Sequence, residues 1–302
     1  MTVAASHNQR WLSTSWSIGQ AAALACCLEA SAPKAGNVHP QAAFSDMDFL
    51  DFLASGISLV PIFDEVSQLG VGQLAQQAVE ATRARVPINT NLGTVLLLAP
   101  LAKALMAARL LSTNHRQQRP SVVQLQQCVT QQLSQLSPAD AAGIYAAIRS
   151  ANPGGLGRAP EHDVRDAPPN DLLAAMKLVA DVDAVARQYC QNFHDICDRL
   201  AKWLRSSLNH GNSMPDAICE LQMRWLTAEL DGLIVRKAGK ELALEARQLA
   251  EWALDEWLET KQRAVRWQAL DTFLRTDGHR RNPGTTADLI AAAIFVVLTT
   301  TP

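Results

Sequence analysis

Apolar residues recur at three- and four-residue steps through long Ala-, Leu- and Gln-rich segments, and the two-residue alternation of a half-buried strand is scarce. Fifteen glycines and 14 prolines fall mainly between these segments and mark the breaks. A pattern of this kind predicts an all-α fold, a single multi-helix, bundle-like domain over residues 1–302. No repeat of fixed period and no dividing linker argues for more than one unit. With 48% apolar and 19% charged residues the chain has enough apolar surface for a large core, which excludes a disordered protein.

The first helix is predicted over Ser13 to Ala30, stopped by Pro33. Ser45-Asp46-Met47-Asp48 matches a capping sequence in which the serine takes an orphan amide and Asp48 reaches back, opening a helix through Leu59. Further helices are expected from Gly72 to Arg85 and from Leu92 onward, the latter kinked at Pro100. Others should start at Ser137-Pro138 and run over Asn170–Leu208, Pro215–Asp231 and Gly239–Leu274. The last, wholly apolar helix follows Thr285 and Asp288, again a capping spacing.

Twenty-seven Lys and Arg against 29 Asp and Glu leave a formal charge of -2, so the chain carries no global attraction for nucleic acid or an anionic membrane. Any phosphate binding must be local. The six cysteines form no CxxC pair and no zinc-site ladder, which suits reduced, packed thiols in a cytoplasmic protein. The N-terminal residues lack a basic segment feeding a sustained apolar run, so no secretory leader is expected. The uncharged runs that start at Leu92 and Leu289 stop short of the ~18 residues a spanning helix needs, so no membrane partner is expected. Oligomeric state stays open.

Polar, catalysis-capable residues are concentrated at a few junctions. Ser31 to Ser55 holds Lys34, Gly36, Asn37, His39, Asp46, Asp48 and Asp51. Asn89-Thr90-Asn91-Leu92-Gly93 enters an apolar helix, whose unpaired amides and dipole favour an anion. Asn152 to Pro169, with Gly154, Gly155 and Gly157, is a long loop of the kind that often closes on a substrate, although no Gly-Lys-Ser/Thr follows to make it a P-loop. Arg236 and Lys237 suit a triphosphate or a basic helix end, and Asn282-Pro283-Gly284 is a turn. By spacing alone Asp46 and Asp48 read first as caps and second as metal or substrate ligands, and His39 first as a locally bonded side chain and second as an acid/base. Helix ends converging at one rim would offer amides and cations to phosphates and carboxylates to Mg2+.

Taken together, KAGNVHP with FSDMDF and Ser55, NTNLGTVLLLAPL, NPGGLG, DGLIVRKAG and NPGTTADL resemble the triphosphoribosyl-dephospho-CoA synthase family, in order and over Lys34 to Leu289. The resemblance implies an all-α enzyme, a pentosyltransferase that joins dephospho-CoA to the ribose of ATP with release of adenine. It implies catalytic roles for Asp46, Asp48 and His39, with Mg2+ on Asp46 and Asp48, and triphosphate contacts from Lys34, Arg236 and Lys237. An amide cradle would come from Asn89, Asn91 and Gly93, with further substrate contacts from Gly36, Asn37, Ser55, Gly154, Gly155, Gly157, Asn282, Gly284 and Asp288. The NTNLG version resembles a branch found beside pterin-dependent, one-carbon genes, so a related ATP-dependent ribosyltransferase with another acceptor is an alternative. A non-catalytic helical nucleotide-binding protein is the other.

Overall fold

A computed structural model describes residues 12–111, 119–153 and 161–301. Ser17, four residues later than the expected start, caps the first helix through a reciprocal bond pair with Gln20, and α1 runs Ile18–Ser31. The capping sequence expected at Ser45 is corrected in the same way. Asp48 is itself the N-cap of α2 (Phe49–Asp64), its carboxylate accepting the Leu50 and Asp51 amides while Asp51 accepts the Asp48 amide. A carboxylate at that position satisfies two orphan donors and faces the positive helix end, which the serine three residues earlier does not reach.

Helices α3 (Val71–Arg83), α4 (Leu92–Leu111), α5 (Val122–Ser134) and α6 (Pro138–Ala151) follow, and α4 continues through Pro100 without interruption. The single helix predicted over 170–208 is instead α7 (Leu172–Val179), α8 (Ala184–Cys190), a π-turn (Asp195–Leu200) and α9 (Ala201–Asn209). Asp183 caps α8, and Asn192 and Phe193 with positive φ end it, so Cys190 and Cys197 do not share one helix. After α10 (Met214–Ala228) and the short α11 (Gly232–Ala238), the predicted helix over 239–274 splits into α12 (Lys240–Thr260) and α13 (Val265–Arg275) where Lys261 turns left-handed. Among the described residues there is no sheet, only two isolated bridges, so the fold is all-α.

The last helix, α14 (Gly284–Thr299), is the axis of the protein. From Leu289 onward every residue is buried, and it packs on α1, α4, α8, α9, α10, α11 and the π-turn. Its expected Thr285/Asp288 cap does not form. Thr286 is bound by Asp231, and Asp288 instead accepts the Thr94 amide of α4. The C-terminal carbonyls of α14 are covered by Arg119, on Val297 and Thr300, and by Arg205, on Thr300. By length and composition α4 could cross a membrane. Two-thirds of its most apolar stretch (67%) is packed inside the protein, and its Lys103 reaches the Val66 carbonyl. Each fully buried Leu, Val or Phe on these two helices contributes roughly 1.5–3 kcal/mol, which is why both read as unbroken apolar runs.

Candidate active site

The amino ends of α4 and α14, the short helix α11 and the segment leading into α2 open on one cavity of about 670 Å3. The clustering follows from how the ends are tied. Asp231 caps α11 by accepting the Leu233 and Ile234 amides on one oxygen, and accepts the Thr286 amide (2.7 Å) and hydroxyl (2.8 Å) on the other. Asp288 accepts the Thr94 amide and hydroxyl near the start of α4. Asn89 accepts the Leu92 amide at 3.1 Å, whereas Gly93 N–H has no partner among the described residues. Two helix dipoles, those of α4 and α14, therefore present their positive ends to the cavity, and the short α11 lines it through Leu233, Arg236 and Lys237.

The segment 34–39 is pinned beside it. Gln222, fully buried, holds both backbone groups of Ala35 and the Asn37 amide oxygen. Asn37 in turn donates to Asn282 at 2.7 Å, while Asp271 accepts the Gly36 amide and Arg275 covers the Asn37 carbonyl. Gly36 sits at φ +72 against Leu274, where a Cβ would come within 2.4 Å of the leucine.

Of the residues expected at the site, Asn37, Asp46, Asn89, Asn91, Gly93, Arg236, Lys237, Asn282, Gly284 and Asp288 line this cavity. Five do not. Lys34 is fully buried, its ammonium 2.9 Å from Glu29 and bonded to the Glu29 carbonyl, so it lies behind the wall rather than at a phosphate. Gly36 shapes the adjoining turn. His39 is bonded to Gln41, and burial lowers its imidazole below the ordinary range. Asp48 is engaged in its cap, and Ser55 bonds Thr90 and the Asp51 carbonyl. Gly154, Gly155 and Gly157 lie outside the described residues, although Pro153 and Glu161, which flank them, line the cavity.

The wall has distinct parts. Among the lining cations Arg236 pairs with Asp183 at 3.0 Å, and Arg83 donates to the Pro87 carbonyl. Burial, then the neighbouring Arg236, lowers the Lys237 ammonium, which Asp46 partly offsets. Asp46 lies 3.6 Å from His279, whose ring stacks on Phe44 at 4.4 Å. The inner wall holds Glu29 and Asp288. Asp288 is only partly exposed, and burial pushes its carboxyl up to about 7, with Thr94 opposing and Glu29 and Asp231 adding to the rise. Leu172, Met176, Val179, Val182 and Leu233 form an apolar side.

Sequence reasoning missed Glu29, Thr94, Gln222 and Asp231. Glu29 left a trace, being the only charge in IGQAAALACCLEAS, where a solvated role would leave a charge facing core. A second depression, lined by Gln126, Asn192, His194 and Asp195, is a shallow open groove that none of the expected residues lines.

Two converging helix amino ends, cations and a buried acid in one cavity define an enzyme for phosphorylated substrates rather than a scaffold. Residues 15–301 match the ATP:dephospho-CoA triphosphoribosyl transferase (CitG) family, and the chain belongs to that family of transferases acting on dephospho-CoA. Among solved structures it is similar to a protein of Archaeoglobus fulgidus whose proposed activity is triphosphoribosyl-dephospho-CoA synthase. The likeness has 26% identity and a TM-score of 0.61, over 82% of this chain and 98% of that one. Comparison with curated proteins gives no match.

Proposed function

We propose that the cavity holds ATP and dephospho-CoA together and transfers the triphosphoribosyl group from the first to the second, releasing adenine. The observation that carries this reading is the meeting of the amino ends of α4 and α14 with Arg236 and Lys237 in one cavity, a match for a triphosphate that survives the reaction. Gly93 N–H adds a donor. The apolar side suits the less polar arm of the acceptor.

Magnesium is usually held by one or two carboxylates and the substrate's own phosphates, so no dedicated cage is needed, and among the described residues no cluster of three or more ligands exists. Asp46, on the cavity wall beside Lys237, fits the role of protein ligand, and Asp48, spent on its cap, does not. A bound magnesium would neutralise triphosphate charge.

The test is release of adenine from ATP by the purified protein, followed by chromatography as dephospho-CoA and pterin acceptors are supplied in turn. Release that requires dephospho-CoA is expected. Release only with a pterin acceptor would overturn the acceptor, and none with any acceptor would overturn the transferase.

A further inference from the structure

We propose that Glu29 and Asp288, both on the inner wall of the cavity, are the proton-transfer pair of the reaction: Glu29 takes the acceptor's hydroxyl proton and Asp288 protonates the departing purine. The assignment rests on the transferase reading of the cavity.

The geometry of each carboxyl favours its role. Glu29 is the lone charge of α1 and is held in place by the buried Lys34 ammonium at 2.9 Å, yet it reaches the cavity surface. That pairing fixes a carboxylate where a hydroxyl could meet it. Asp288 uses one oxygen, Oδ1, for both Thr94 donors, and its other oxygen, Oδ2, lies over Gly93, where a Cβ would come within 2.1 Å. Only a residue without a side chain at 93 leaves that oxygen its place. The groups facing Asp288 are Thr94 of α4, Glu29 and Cys26 of α1, and Asp231 at the start of α11. The two acidic neighbours and the burial all favour the protonated acid that donation to a leaving group requires.

The balance is complete with the two substrates. The acceptor oxygen forms a bond to the ribose C1′ as the C1′–N9 bond breaks, and the N9 electron pair leaves with the purine. The hydroxyl proton goes to Glu29, and the Asp288 proton goes to a purine ring nitrogen, so adenine departs neutral. Proton exchange with water on product release returns both groups to their starting state.

The test uses the whole protein with ATP and with 7-methyl-ATP, whose purine already carries a positive charge and needs no proton to leave. With ATP, wild-type kcat should fall as pH rises through about 7, where Asp288 loses its proton. With 7-methyl-ATP that fall should vanish. Asp288→Asn keeps an oxygen for Thr94 and should lose ~10²-fold or more in kcat with ATP but recover with the methylated donor, the size expected for a general acid. Glu29→Gln should lose a similar factor with either donor, with KM for ATP little changed. A wild-type profile that is the same for both donors overturns the acid role even if a variant fails to fold. Losses confined to KM, or full kcat in Glu29→Gln, overturn the pair. No adenine release by wild type with any acceptor instead overturns the transferase itself.

Discussion

Asp288 accepts the Thr94 amide at 2.8 Å and the Thr94 hydroxyl at 2.7 Å, capping α4 from 194 residues further along the chain. Asp231 grips Thr286 through the same two groups. An N-cap supplied from a distant segment does what a local one does, satisfying orphan amides, but it also fixes one helix against another. Both clasps border the cavity, which makes its shape a product of long-range hydrogen bonds.

Gly93→Ala should therefore damage the site from inside. The added methyl would meet Asp288 Oδ2, and moving that carboxylate breaks the clasp on Thr94. We expect a loss of about 1–3 kcal/mol in denaturant unfolding, the range for overpacking, together with a large fall in adenine release. Wild-type stability in the variant would contradict the clasp.

Asp231→Ala removes the acceptor of four bonds, two within α11 and two to Thr286. Each cap carries about 0.5–2 kcal/mol, so a combined loss of roughly 1–4 kcal/mol should appear as a lower Tm. A change as small as that of an exposed cap would show that α11 and α14 are held by packing alone.

Asp46 and Asp48, alike by sequence, should separate in a kinetic comparison. Asp48→Ala should cost ~0.5–2 kcal/mol of stability and leave adenine release close to wild type. Asp46→Asn should raise the magnesium concentration needed for half-maximal rate. Equal kinetic losses in the two would return Asp48 to the site.

Arg236→Ala and Lys237→Ala should each raise KM for ATP by about tenfold or more, as loss of a charge-assisted hydrogen bond implies, with kcat less affected. Arg236→Ala also leaves Asp183 unpaired on the cavity wall, so it should be the more severe of the two. An ATP affinity unchanged in both would remove the triphosphate from this end.

Asp288 also links folding to pH. Folded, its carboxyl keeps a proton up to about 7, whereas an unfolded aspartate releases it near ~3.9. Across that window the folded state binds the extra proton, so this group's stabilising contribution is complete at low pH and is lost as pH rises to the folded value. The Tm of Asp288→Asn minus that of wild type should become more positive on going from about pH 5 to about pH 8. A difference independent of pH would contradict a raised carboxyl.

Helical periodicity carried the fold class, and the polar junctions carried most of the cavity wall, because amides at helix starts are demanded by local chemistry that sequence spacing displays. Breaks inside long periodic stretches were not visible. The turns at Asn192-Phe193 and Lys261 use left-handed residues other than glycine, which carry no punctuation in composition. Caps were misassigned wherever the partner was distant. Thr285 with Asp288 has a local capping spacing, yet both carboxylates concerned reach other helices, and no local rule encodes a partner 55 or 194 residues away. The resemblance placed Lys34 at a phosphate, the residue alone reading as a solvated loop lysine, and only packing reveals that it sits behind Glu29.

Through its two oxygens, Asp231 joins the start of α11, whose last turn carries Arg236 and Lys237, to the start of α14, whose first turns carry Asp288. The helix that carries the cations and the helix that carries the acid are thus tied together by one buried carboxylate, so a change at Asp231 would shift both walls of the cavity against each other.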